Sequence, residues 1–233
     1  MLEPKKLLDD LLAVRIPGFG GTVAENAVET GGLAKACPVA TGAVAALLLG
    51  TRTGRPLAQS ALKIGGAAAI AGVAYQAYRN YRNGGQPTDP IDGGASVPMP
   101  APEDTAFHPT RLPEGEEAFA LVLVRAMIAA SRADGMIDVS EYQAILDRTH
   151  ALDVDGDVES FLSRELGRPI DLDQLIAAAK TDAQKIGFYA ASRLAVNAIS
   201  DGEQRYLDGL AKKLKLPQAL VQHIEGCVLS LSS

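Results

Sequence analysis

Two stretches of this chain, Ser131–Glu141 and Arg193–Glu203, share one local pattern that limits how the chain can fold. In each, an apolar helical run ends at a short polar turn, an isoleucine follows, and a capping residue begins a new helix. The two capping pairs are Asp138 with Glu141 and Ser200 with Glu203. A pair at this spacing can satisfy two otherwise unpaired backbone N–H groups at a helix start. The pattern predicts a compact helical domain with the character of a pseudo-repeat.

Further boundary signals extend this prediction over the C-terminal half. Asp171 with Gln174 and Thr181 with Gln184 have the same spacing, and Pro217 suits the first turn of a last helix. The segment 114–131 is apolar nearly all round, which predicts a central buried helix. About seven helices are expected after residue 113. Because alternating β-branched runs are missing, we predict an all-α fold with almost no strand.

Composition sets limits on the core and on the partners. Aromatic residues make up 5% of the chain and there is no Trp, so the core must consist of Ala, Leu, Ile and Val. The formal charge of −6 gives no sign of the basic surface that binds a phosphate backbone, and we expect no nucleic-acid partner. Cys37 and Cys227 lack metal-ligand spacing and are expected to be reduced, without a disulfide.

Two uncharged runs, Ala36–Thr51 and Ile64–Tyr78, mark the N-terminal half. As helices they would span roughly 22 to 24 Å, less than the hydrocarbon core of about 30 Å, unless flanking residues extend them. Tyrosines and arginines lie together at the end of the second run, as at the boundary of a membrane. We therefore predict a membrane-associated helical hairpin. The alternative is a soluble Ala/Gly-rich hairpin that oligomerises.

The second run also carries small residues at the spacing that lets helix backbones approach closely. The predicted membrane-packing residues are Gly65, Gly66, Ala69 and Gly72. Through this face the helix is expected to pack against the first run and to support a homo-oligomer.

A proline-rich stretch divides the chain into three predicted parts. Residues 1–82 hold a short amphipathic helix and the hairpin, and residues 83–113 form a disordered linker that contains seven of the thirteen prolines. Residues 114–233 form the compact helical domain. We expect a fragment that begins near residue 110 to fold alone.

The acidic turns are also candidates for a divalent-metal site. The candidate ligands are Asp134, Asp138, Glu141, Asp201 and Glu203. A calcium loop that starts at Asp134 would need a ligand at Met136, glycine at Val139 and glutamate at Ile145, so the template fails. Helix capping is the favoured role, and no catalytic motif is present. We predict no enzyme activity and no cofactor, with a divalent metal as the alternative.

The stretch Ala126–Glu141 contains the end of an alanine-bearing helix, followed by A-D-G-M-I-D-V-S-E. This stretch resembles the TerB-like domain first recognised in tellurite-resistance proteins. The layout of the chain resembles the YebE-type inner-membrane family. This resemblance implies a bundle of about seven helices, a membrane-anchored bacterial protein, and a link to metal or stress. It places the family's acidic positions at Asp134, Asp138 and Glu141. Asn197 departs from the pattern, because an acid there would strengthen a metal site.

Together these observations predict a membrane-tethered interaction or scaffold protein, linked to envelope or metal and tellurite stress, with a protein partner that the sequence does not identify. Its predicted location is the bacterial inner membrane, with the C-terminal domain in the cytoplasm. The alternative is a soluble cytoplasmic protein that uses the acidic turns to bind a divalent metal or to hydrolyse a substrate.

Overall fold

The computed structural model describes residues 4–13, 65–87, 99–133, 160–161, 164–165, 171–196 and 201–231. Over these residues the chain is helical and contains no strand, which confirms the predicted all-α class. The elements are α1 (Pro4–Ala13), α2 (Gly66–Arg82), a 3-10 turn (Pro109–Arg111), α3 (Glu116–Ser131), α4 (Leu172–Ala177), α5 (Asp182–Leu194), α6 (Asp201–Lys213) and α7 (Gln218–Ser230).

Helix α3 lies at the centre of the bundle and contacts α1, α2, α4, α5 and α6. Its side chains at Leu123, Val124 and Ala126 are fully buried. A helix that is apolar nearly all round can bury all its faces only when neighbours surround it. The prediction of a central buried helix is confirmed.

Side-chain caps fix the starts of α4 and α5, as the residue spacing predicts. The Asp171 carboxylate accepts a hydrogen bond of 2.9 Å from the Gln174 backbone N–H. At α5 the bonding is reciprocal, because the Thr181 hydroxyl accepts from the Gln184 N–H and the Gln184 side chain accepts from the Thr181 N–H. The pairs Asp138 with Glu141 and Ser200 with Glu203 each include a residue outside the described part of the chain.

Helix α2, which holds most of the second uncharged run, packs inside this bundle against α1, α5 and α7. Ala69, Ile70, Ala74 and Ala77 are fully buried there. The sequence predicts that a membrane or a second hairpin covers the apolar face of this helix. In the structure, the chain's own helices cover that face. None of the described helices is both long and apolar enough to cross a bilayer.

The predicted linker is also packed where the structure describes it. Ala101, Phe107 and Pro109 are buried, and Phe107 belongs to the same hydrophobic core as α3 and α5. Within the described residues, the boundaries predicted at residues 82 and 113 therefore do not coincide with an edge of the core. The reason is that a proline-rich segment can bury an occasional apolar side chain without forming a regular element.

Candidate functional site

The residues predicted for membrane packing are used within the chain's own fold. Gly65 precedes α2 with a φ of 87°, a conformation that side-chain-bearing residues rarely adopt. The Gly66 N–H donates to the Asp9 carboxylate of α1, and Ala69 is fully buried. A side chain at Gly72 would overlap the Met99 carbonyl oxygen. All four residues therefore have a place inside the protein's own fold, and at Gly72 the small size permits a close backbone contact.

The contact between Asp9 and Gly66 belongs to a junction that joins α1 to α2 and α3. A carboxylate at a helix start is favoured by the helix dipole and by unpaired backbone N–H groups. One turn earlier on α1, the Lys5 ammonium lies 3.1 Å from the Glu116 carboxylate, and the Lys5 N–H donates to Glu117. Leu7 and Leu8 are buried between these polar contacts. The predicted amphipathic helix thus packs on its own protein.

The five predicted metal ligands do not form a cluster in the described residues. Asp134, Asp138 and Glu141 lie outside the described ranges. Asp201 is exposed and Glu203 is buried, both in the first turn of α6. Among the residues that the structure describes, no group of three or more His, Cys, Asp or Glu side chains could hold a metal ion. Metal binding by the acidic turns stays a prediction.

A buried polar cluster connects α5 to α7. The Arg193 side chain is 5% exposed. Its guanidinium pairs with the Glu225 carboxylate and donates to the Val196 carbonyl at 2.8 Å. The Tyr189 hydroxyl donates to the other Glu225 oxygen at 2.9 Å. Burial, and then the neighbouring Glu225 charge, raises the pKa of Tyr189. Both Glu225 oxygens are engaged, so this cluster holds two helices together rather than offering a free base.

A second polar contact joins the start of α3 to the start of α5. The Glu114 carboxylate lies 2.7 Å from the Lys180 ammonium and accepts a bond of 2.8 Å from the Gln184 side-chain amide. The bond from Lys180, followed by the bond from Gln184, lowers the pKa of Glu114. Gln184 is the residue that also completes the capping box, so one side chain orders the helix start and the contact between helices.

A histidine and a cysteine, both with chemically reactive side chains, are buried on α7. His223 is 5% exposed, its Nδ1 has no hydrogen-bond partner in the described residues, and its ring meets the edge of Tyr81 on α2. Burial raises the pKa of the Cys227 thiol to about 11. Because the thiolate is the nucleophilic form, a thiol of this kind is poorly reactive near neutral pH. The structure thus gives both residues a packing role.

An aromatic contact on α2 was not anticipated from the sequence. The Phe107 ring lies 5.7 Å from the Tyr75 ring and 5.3 Å from the Tyr78 ring, measured between centroids. The three-residue spacing of Tyr75, Tyr78 and Tyr81 indicates a shared helix face, but the sequence interpretation assigned that face to a membrane boundary. A useful signal was Phe107 itself, one of only five Phe residues, in a segment otherwise poor in large apolar residues.

The fold and these contacts define a class of all-helical proteins in which an N-terminal helix pair is built into the same bundle as the C-terminal helices. The chain belongs to the family described as "Protein of unknown function (DUF533)", which matches residues 34–228. This match runs through α2 and α3 and into α7, so the family unit includes both parts of the bundle. Neither a curated protein nor a solved structure matches the chain.

Proposed function

We propose that this chain is a helical interaction protein held at the inner membrane of a bacterium, with its bundle on the cytoplasmic side. The observation that carries this proposal is the contact between Asp9 and Gly66. Asp9 lies about one turn before the end of α1, and Gly66 is the first residue of α2. The described residues on either side of the segment 14–64 therefore lie close together.

The segment 14–64 contains the uncharged run Ala36–Thr51, which includes Leu47, Leu48 and Leu49. Because the bundle buries α2, this run is the remaining candidate from the sequence for membrane contact. One complete crossing would put α1 and α2 on opposite sides of the bilayer and break the contact between Asp9 and Gly66. The run is therefore proposed to enter the membrane and leave it on the same face.

The described carboxylates of Glu225 and Glu114 have structural partners. Both accept hydrogen bonds from side chains elsewhere in the bundle. Charged groups that are engaged in this way stabilise contacts between parts of the bundle, as expected of a helical scaffold. The resemblance to TerB-like domains supports the proposed link to envelope or metal stress.

Membrane fractionation of the full chain tests this proposal. The unaltered protein should sediment with membranes, and Leu48→Lys should move it to the supernatant, because a lysine in place of leucine costs about 3 to 4 kcal/mol at the centre of an apolar membrane segment. Leu229→Lys is the matched control, since Leu229 is 55% exposed on α7, and it should stay with the membranes. Unaltered protein in the supernatant would contradict the proposal, as would a folded Leu48→Lys protein that still sediments.

A further inference from the structure

His223 lies in the contact between α7 and α2 with one ring nitrogen unpaired. The residue is 5% exposed, and its ring centroid lies 6.0 Å from that of Tyr81, in an edge-on arrangement. Its Nδ1 atom has no hydrogen-bond partner in the described residues. A neutral imidazole can carry its proton on the other nitrogen, so it leaves no unpaired N–H at Nδ1. The ring therefore fits this contact in its neutral form.

A proton at Nδ1 would change this contact. Both nitrogens of a charged imidazole are donors, so the Nδ1–H would be buried without an acceptor. A buried donor without an acceptor costs free energy, and a buried charge without an opposite charge costs more. The charged ring is therefore favoured only where water reaches it, which requires α7 to move away from α2.

The face of α7 that carries His223 is closely packed over the following turn. A side chain at Gly226 would overlap the Pro87 carbonyl oxygen, and Cys227 is 3% exposed. Residues three and four positions apart lie on one face of a helix, so both neighbours share the face of His223. Water can therefore solvate a charged His223 ring only after this face has opened.

The groups that α2 brings to this contact do not favour a positive charge. Helix α7 packs on α2 and α5. Tyr81 is the titratable side chain that α2 places against the ring. In the last turn of α2, Tyr81 is flanked by the basic residues Arg79 and Arg82. Tyr81 supplies no negative charge near neutral pH, and the arginines add positive charge to this end of α2.

The groups that α5 and α7 bring are engaged or uncharged. Glu225 lies two residues beyond His223, and its two oxygens accept from Arg193 and Tyr189 of α5. Burial raises the pKa of the Cys227 thiol to about 11, so this neighbour carries no charge near neutral pH. The surroundings of His223 therefore hold no carboxylate that is ready to pair with a charged imidazole in the described residues.

We propose that His223 is an acid-sensitive switch in the fold: when its ring gains a proton, α7 separates from α2 around Tyr81. The ion pair of Glu225 with Arg193 does not involve the imidazole, so it continues to hold α7 to α5. A histidine in water gains its proton at about pH 6.5. Because the open state binds this proton and the closed state does not, the contact is stable above that pH and is lost progressively below it. The switch goes beyond the proposed interaction role and does not depend on the membrane segment.

Chemical labelling of Cys227 measures the opening, because this thiol is buried on the same face as His223. Cys37→Ser in the full chain, kept in mild detergent, leaves Cys227 as the single thiol. An aromatic disulfide reagent labels it, and a peptide of residues 218–231 gives the rate for an exposed thiol at each pH. The ratio of the two rates follows the open population when closing is faster than labelling. This ratio should rise about ten-fold as the pH falls from about 7.5 to about 5.5.

Two variants assign the rise to His223. His223→Gln cannot gain the proton, so its ratio should stay constant over this range. A chain with His108→Gln and His150→Gln keeps His223 as its single histidine and should show the full rise, which also decides the matter if His223→Gln does not fold. A constant ratio in the Cys37→Ser chain or in this double variant would overturn the proposal, as would an equal rise in folded His223→Gln.

Circular dichroism of the same samples separates a local opening from unfolding of the whole bundle. Helix content should be nearly unchanged at about pH 5.5, because only the contact between α7 and α2 opens. A loss of most of the helix signal over the same pH range would overturn the local switch, since the whole bundle would then unfold together.

Discussion

Arg193 brings a full positive charge into the contact between α5 and α7, where its side chain is 5% exposed. A buried charge is tolerated only when it is paired and its remaining donors are hydrogen-bonded. Glu225 and the Val196 carbonyl provide these partners. Removing one member of the cluster should therefore lower the free energy of unfolding.

Glu225→Ala should lower the free energy of unfolding by about 3 kcal/mol, because it leaves the Arg193 charge buried without its carboxylate. Chemical denaturation followed by circular dichroism measures this change. The matched control is Lys213→Ala, which removes the exposed ion pair with Asp173 and should cost less than about 1 kcal/mol. Equal losses for the two variants would show that burial of Arg193 is not decisive.

Whether the sequence can predict a residue contact depends on separation along the chain. Thr181 and Gln184 are three residues apart, so helix geometry alone brings them together and the capping box is predictable. Arg193 and Glu225 meet only because α5 packs against α7, and no local spacing encodes that meeting. The same holds for Gly72, whose close neighbour Met99 lies in a different segment.

At the scale of elements, the end of α6 shows a conformation that its sequence does not favour. The Leu216 N–H bonds to the Ala211 carbonyl, and the Lys215 N–H bonds to the Lys212 carbonyl. This is the Schellman pattern of a helix C-terminus, in which glycine usually occupies the left-handed position. Here that residue is Lys215, with a φ of 58°. A left-handed lysine stores backbone strain that glycine would relieve.

Lys215→Gly should therefore raise the free energy of unfolding by about 1 kcal/mol, because glycine has no Cβ to clash in this conformation. The same substitution at Lys212, which lies in the last turn of α6, should instead lower it by about 1 kcal/mol. Thermal melts of the two variants test this opposition in sign. A loss of stability at Lys215 would mean that its side chain makes a stabilising contribution that outweighs the strain.

Helix α2 shows why a helix is easier to predict from the sequence than the helices that pack against it. Its Ala- and Gly-rich face was visible in the sequence, and the structure confirms a helix there. An apolar helical face has the same period whether lipid or protein covers it, so periodicity cannot choose between them. The covering helices, α5 and α7, lie more than a hundred residues further along the chain. The five candidate metal ligands posed the same difficulty, since acids that cap helices and acids that bind metals share their spacing.

At the scale of the whole molecule, the shared core changes the expectation for a truncated chain. The sequence predicts that a fragment beginning near residue 110 folds alone. That fragment would lack α1 and α2, which contact α3, α5 and α7 in the structure. We expect the fragment to expose the apolar faces that α1 and α2 cover, and therefore to unfold less cooperatively than the full chain.

A fragment of residues 110–233 should therefore show a broad thermal transition and bind a hydrophobic dye, as a loosely packed helical state does. A fragment that begins at residue 65, which keeps α2 and residues 99–113, should be closer to the full chain. Circular dichroism melts of the two fragments make the comparison. A sharp transition for residues 110–233 at the melting temperature of the full chain would contradict the shared core.

The contact between Tyr81 and His223 also has a consequence during synthesis. The two rings are separated by about 140 residues of chain, and ribosomes add roughly 5 to 20 residues each second. Helix α2 therefore leaves the ribosome on the order of ten seconds before α7 exists to cover it. For that interval the face of α2 that α7 covers in the finished fold has no α7 to cover it. Whatever binds it first competes with the last helix that the chain makes.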